Sequence, residues 1–191
     1  KINKKSILSR FVRLPLLLLK MYNLYYWDRQ KKTTALRMNS KEYDLIIVHE
    51  VRMLPFAFEI SKNAKIILDA HEYSPNNFDD NLMWKIFIKP FYIHLCNKYL
   101  IKCDKVITVC DKIAELYQQN FNIRCQVVTN ASNYYNYKPY DAKGDKVRII
   151  HHGIASSSRK LELMITMMDY LDDRFELHLM LVAKRMNKIY F

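Results

Sequence analysis

The sequence predicts an α/β fold built on a parallel sheet, and two observations predict it. Short β-branched runs alternate along the chain with stretches whose apolar residues recur at helical spacing. The strand-like runs are continuously apolar, as in Leu45-Ile46-Ile47-Val48 and Val106-Ile107-Thr108-Val109, which is the pattern of strands covered on both faces.

The first element is a basic segment, residues 1–40. It holds ten Lys/Arg with Asp28 as its one acid, so it carries +9 of the chain's +12. Such asymmetry fits either an anionic partner (a membrane surface, a nucleic acid, an acidic substrate) or a solvated basic helix. Residues 6–27 read as one helix. The apolar run Leu14 to Leu19 is far short of the ~20 residues that span a bilayer, so no transmembrane segment is expected. Arg13, Lys20, Tyr22, Tyr25, Tyr26 and Trp27 suit a helix lying in a membrane interface, or one packed on a sheet.

Strands are expected at 45–48, 66–68, 106–109, 126–128, 147–151 and 175–182. Helices are expected at 53–62, with Pro55 in the first turn, at 80–102, which Pro90 should break or kink, at 111–121 and at 159–171. In the last, Leu161, Met164, Ile165, Met168 and Leu171 repeat at helical spacing and read as core. The polar, Tyr-rich stretch around 133–146, with Pro139 and Gly144, reads as a linker between two α/β units.

Composition narrows the chemistry. Gly144 and Gly153 are the two glycines, so a glycine-rich phosphate loop is excluded. Cys96, Cys103, Cys110 and Cys125 form no C-x-x-C and no zinc-finger spacing with histidine. Cys103 and Cys110 flank an apolar run and read as buried free thiols. Reduced thiols and the lack of a signal-peptide pattern fit a cytoplasmic protein.

Ligands of open parallel sheets bind outside the carboxyl ends of the strands. Those ends here are Val48-His49-Glu50, Leu68-Asp69-Ala70-His71-Glu72, Val128-Thr129-Asn130 and Ile150-His151-His152-Gly153. A His-Glu pair after two separate strands is more informative than either alone. His49/Glu50 and His71/Glu72 have the chemistry of metal ligands or of an acid and base. Alternatively, Asp69 and Glu72 accept backbone N–H groups in a tight loop. H-E here is not H-E-x-x-H, so no metalloprotease site is expected. In Gly153-Ile-Ala-Ser-Ser-Ser-Arg159-Lys160, Gly153 opens the loop and Ser158 caps a helix whose first turn holds Arg159 and Lys160. Cations placed there oppose the helix dipole, which points to a bound anion such as a diphosphate. A solvent-exposed basic pair is the alternative.

These stretches resemble family 4 of the retaining glycosyltransferases, of GT-B fold. The matching segments are YDLIIVHE with MLPFAFEIS, IILDAHEY, CDKVITVCDKIAELYQQNF, VVTNAS, and IIHHGIASSSRKLELMI followed by RFELHLMLV. The resemblance implies an incomplete amino-terminal Rossmann-like domain (41–132) on the acceptor side, the linker 133–146, and at 147–191 the start of a second, donor-side Rossmann-like domain. It implies that His71 and Glu72 are catalytic, that Gly153, Arg159 and Lys160 hold the donor diphosphate, and that His49, Glu50, Asp69 and Asn130 line the acceptor-side cleft. Ile154 stands where many relatives carry an arginine. No metal and no cofactor are implied; the partners are a nucleotide-sugar and a glycan or lipid-linked acceptor in bacterial surface-polysaccharide synthesis. The E-x7-E motif of such donor domains is not found before Phe191, so the chain is expected to be truncated at both ends. Residues 6–27 would touch the inner membrane face, at roughly 1 kcal/mol per basic residue.

Two other functions compete: a catalytically incomplete fragment or half of a split transferase, and a basic nucleic-acid-binding module. The last rests on charge alone, since no nucleic-acid-binding motif accompanies it, and no nucleic acid is expected as partner.

Overall fold

A computed structural model of the chain describes residues 13–138, 146–156 and 159–182. The chain divides into two compact units, Lys1–Ser132 and Asn133–Phe191.

The first unit is an α/β domain on a four-stranded sheet, β1 (Leu45–Val48), β2 (Lys65–Ala70), β3 (Lys105–Thr108) and β4 (Gln126–Val127), in the spatial order 1-2-3-4. Every neighbouring pair is parallel. This arrangement is compatible with a Rossmann-like domain. Strands that follow one another both in chain and in space, joined by right-handed crossovers, send every connecting helix to the same face. One face is accordingly packed: Val48, Ile66, Leu68, Ala70, Val106 and Thr108 are all buried. On the other face Leu45 and Ile47 are 47% and 54% exposed. The expectation of strands covered on both faces therefore fails for β1, because among the described residues its apolar run has a helix layer on one side only.

The crossovers are α3 (Leu54–Ile60) after a 3-10 turn at Val51–Met53, α4 (Lys89–Tyr99) and α5 (Asp111–Phe121). Pro55 sits in the first turn of α3, where its missing N–H costs nothing. The helical stretch breaks at Pro90, as expected. The proline opens α4, and the preceding turn, Trp84–Ile88, is a wider π turn. A proline cannot donate into the turn before it, and a widened turn absorbs that loss. Helix α5 ends on Asn122 in the left-handed region, a common helix stop.

The amino-terminal segment departs from a single helix. Residues 13–18 are helical. Lys20 then turns left-handed (φ 54°), while Met21 N–H donates to Leu16 C=O and Lys20 N–H to Leu17 C=O. These paired bonds close the helix end. Two helices follow, α1 (Tyr22–Tyr26) and α2 (Arg29–Met38). Tyr22 and Tyr26 are buried in the core, and Tyr22 and Tyr25 pack on the Phe91 ring of α4. These aromatics thus serve the packed alternative. Residues 6–12 of the expected helix lie outside the described residues. Asp28 caps α2 by accepting from Lys31 N–H at 2.8 Å. No helix among the described residues is long and apolar enough to cross a membrane.

The second unit is a β-α-β arrangement: β5 (Val147–Ile154), α6 (Leu161–Met167) with a 3-10 turn at Met168–Tyr170, and β6 (Phe175–Val182), parallel to β5. None of its described residues is buried. The apolar positions of α6 read as core from their spacing are half-buried at best, and Ile165 is exposed. Pro139 and Gly144 of the expected linker lie outside the described residues.

Candidate functional site

Strand register builds the site. Val48 of β1 pairs with Leu68 of β2, so the next rung sets residue 49 beside residue 69. Residue 71 follows 69 by two, which in extended chain returns its side chain to the same side. The result is a convergence at the carboxyl ends of two adjacent strands. His49 Nδ1 lies 3.0 Å from Asp69 Oδ2, and His71 Nε2 lies 3.0 Å from the same oxygen. The imidazoles stack, with centroids 5.8 Å apart and planes inclined by 18°. Asp69 is the recessed member: its side chain is 17% exposed, against 70% for His49 and 47% for His71. The carboxylate thus anchors two accessible imidazoles, each with its other ring nitrogen available for proton transfer.

The loop carrying His71 is held on both sides. Before it, the buried Thr108 hydroxyl donates to Ala70 C=O at 2.7 Å. After it, the Tyr117 hydroxyl of α5 donates to Glu72 C=O at 3.1 Å and accepts from Ser74 N–H at 3.3 Å. Tyr117 is fully buried, and burial pushes its phenol well above the ordinary tyrosine value. Its ring packs edge-on against Tyr73. Below the rim, β2 is also tied to the chain entering β3: Ile66 N–H donates to the Asp104 carboxylate at 2.7 Å, and Asp104 N–H donates back to Ile66 C=O.

The structure brings together His49, Asp69 and His71 and leaves the other expected residues outside the cluster. Asp69 faces two imidazoles, not the backbone donors of the tight-loop alternative. The side chains of Glu50 and Glu72 are exposed; Glu72 serves the loop through its carbonyl. Asn130 is exposed on the stretch after β4. Sequence reasoning missed Tyr117 and Thr108. The signal was a hydroxyl at a position where packing alone would be met by phenylalanine or valine.

In the second unit the donor-side residues are placed differently from the expectation. Gly153 is not in a loop but within β5, opposite Leu181. Its φ of 155° lies in a region that L side chains rarely adopt, so conformation and not space calls for glycine, since an added Cβ would meet only His151 Nε2 at 3.7 Å. Lys160 is left-handed (φ 47°) and immediately precedes α6, which begins at Leu161. Arg159 and Lys160 are therefore exposed residues ahead of the helix, not members of its first turn. The dipole reasoning for a bound anion falls with that placement, because a left-handed residue at 160 interrupts the helical path. Ser158 lies outside the described residues.

The cysteines form no disulfide. Burial pushes the Cys96 and Cys103 thiols up to about 12 and Cys125 to about 11, which keeps them protonated and unreactive. Cys110, expected to be buried, is exposed one residue ahead of α5.

The fold and site together define an α/β protein with an imidazole–carboxylate cluster at the carboxyl rim of a parallel sheet. In comparisons with known proteins, no family model and no curated protein matches the chain.

Proposed function

We propose that the chain belongs to a glycosyltransferase that moves a sugar from a nucleotide-sugar to a glycan or lipid-linked acceptor with retention. The observation that carries this reading is the convergence of His49, Asp69 and His71 at the strand ends, the last two in the DAHEY segment that resembles the acceptor side of family 4 enzymes. In this reading His71 orients the acceptor hydroxyl and takes its proton as the oxygen bonds to the anomeric carbon, while Asp69 fixes the imidazole. Glu72 adds negative charge beside it. Arg159 and Lys160 neutralise the departing nucleoside diphosphate, and Gly153 supplies the backbone conformation of the donor-side strand before them. The other exposed rim residues, His49, Glu50 and Asn130, contact the acceptor. The transfer step itself draws on neither metal nor cofactor, and of the segment 6–27 the exposed Leu18, Leu19, Lys20 and Leu24 rest against the inner membrane face.

The test is sugar transfer by the full chain from a panel of UDP-, GDP- and dTDP-sugars to lipid-linked acceptors, with the product's anomeric configuration read by NMR. Transfer with retention, falling at least about 100-fold in Arg159→Ala, is expected. Absence of both transfer and nucleoside-diphosphate binding overturns the reading. A second reading, half of a split transferase, draws on the second unit, none of whose described residues is buried. It predicts nucleotide binding without transfer until a donor-side partner is supplied.

A further inference from the structure

We propose that His49, Asp69 and His71 form a binding site for an imidazole-preferring divalent ion of the zinc class. The inference goes beyond the transferase reading and does not depend on it. Three potential ligand atoms, one from each residue, all lie within 4.8 Å of one another. They come from two adjacent strand ends fixed by sheet register, so the set is positioned by backbone hydrogen bonding and not by chance contact of long side chains.

The distances carry the geometry further. Zinc binds imidazole nitrogen and carboxylate oxygen at about 2.0–2.2 Å. Two such ligand atoms 3.0 Å apart subtend about 90° at a shared ion. Both His–Asp edges have this length. A right angle between Asp69 and each histidine suits a five- or six-coordinate ion, with the remaining positions open to water or an oxygen ligand. The exposure of His49 and His71 provides the entry path, and the recessed Asp69 supplies the charge. Two imidazoles with a single carboxylate suit zinc, cobalt or nickel; magnesium and calcium prefer sites built of oxygen alone.

The anchors flanking His71 add preorganisation. Thr108 holds Ala70 and Tyr117 holds Glu72 and Ser74, so His71 is presented from a loop pinned on both sides. Glu50 and Glu72 follow the two histidines directly and add negative potential at the rim. The competing account of the same geometry is a carboxylate that accepts an N–H hydrogen bond from each imidazole and binds no ion.

Calorimetric titration of the full chain with Zn2+ and with Mg2+ separates these accounts. Expected are one zinc equivalent bound, no heat from Mg2+, and affinity for zinc weakened by more than about tenfold in His49→Ala, His71→Ala and Asp69→Asn. His178→Ala, in the second unit, should bind as the unsubstituted chain does. A measurement on the unsubstituted chain guards against misfolded variants: carbethoxylation mapped by mass spectrometry, with and without Zn2+. Zinc should protect His49 and His71 together and leave His178 reactive. Failure of the chain to bind zinc, unchanged affinity in the His49 and His71 variants, or equal modification of both histidines with and without zinc overturns the proposal. Sugar transfer is not read in either measurement, so loss of the metal site and loss of the transferase reading are separately visible.

Discussion

The two units use the same strand–helix–strand logic with opposite outcomes for burial. In the first, one sheet face is sealed by crossover helices, and Val51, Leu54, Leu68 and Tyr117 are completely inaccessible. In the second, β5 and β6 pair over eight residues each, yet none of the unit's described residues is buried. Parallel pairing supplies backbone hydrogen bonds to both. Only helix coverage removes apolar area from water, at roughly 25 cal/mol per Å2. The difference teaches that a continuous apolar run marks a strand meant for burial without showing that the burial is achieved.

The largest expected effect tests that contrast directly. Leu68→Ala in the sealed face should lower unfolding free energy by about 2–5 kcal/mol through the cavity it leaves. Ile150→Ala in β5, where the residue is 65% exposed, should stay within about 0.5 kcal/mol. Denaturant midpoints at constant slope measure both, and equal losses would dissolve the distinction between the units.

A smaller effect probes how the sealed unit holds its rim. Tyr117→Phe keeps the ring but strands Glu72 C=O and Ser74 N–H, and should cost about 1–3 kcal/mol. Amide exchange at Ser74 should accelerate by more than the global loss accounts for. Exchange that rises only in step with global stability would mean the hydroxyl does not position the loop.

The smallest concerns the edge of the same unit. The Lys31 ammonium and N–H beside Asp28 hold its carboxyl down to about 2. Because the unfolded value is about 3.9, the contribution is present above that pH and disappears as pH falls through about 2. Asp28→Ala should cost about 1 kcal/mol at neutral pH, and its stability curve should meet that of the unsubstituted chain near pH 2. A constant offset down to that pH would argue against a charge-dependent cap.

Much of the first unit was legible because strands of β-branched residues and amphipathic helices leave periodic marks. The strands expected at 45–48 and 66–68 and the helix at 111–121 fall where the pattern puts them, and the strand expected at 126–128 forms over 126–127. What the pattern could not carry was three-dimensional. Leu45 and Ile47 look as buried as Ile66 and Leu68 until the one-sided layering is known. The left-handed turns at Lys20 and Lys160 carry no glycine or asparagine to announce them. At the site, His49, Asp69 and His71 were each legible as strand-end residues. Their meeting on one carboxylate oxygen depends on a register that no single strand encodes. Glu50 and Glu72, equally prominent in sequence, point their side chains to solvent, and Tyr117 was hidden among the apolar positions of its own helix.

The bare face of β1 has a practical side. Among the described residues β1 pairs on one edge only, with β2, and Leu45 and Ile47 stand on its open face. An edge without a strand partner, beside exposed aliphatic side chains, is adhesive toward any extended peptide. Lys41 and Glu42 just upstream supply some charge to blunt it. Where that edge stays unpaired, self-association at high concentration is the behaviour to expect of it.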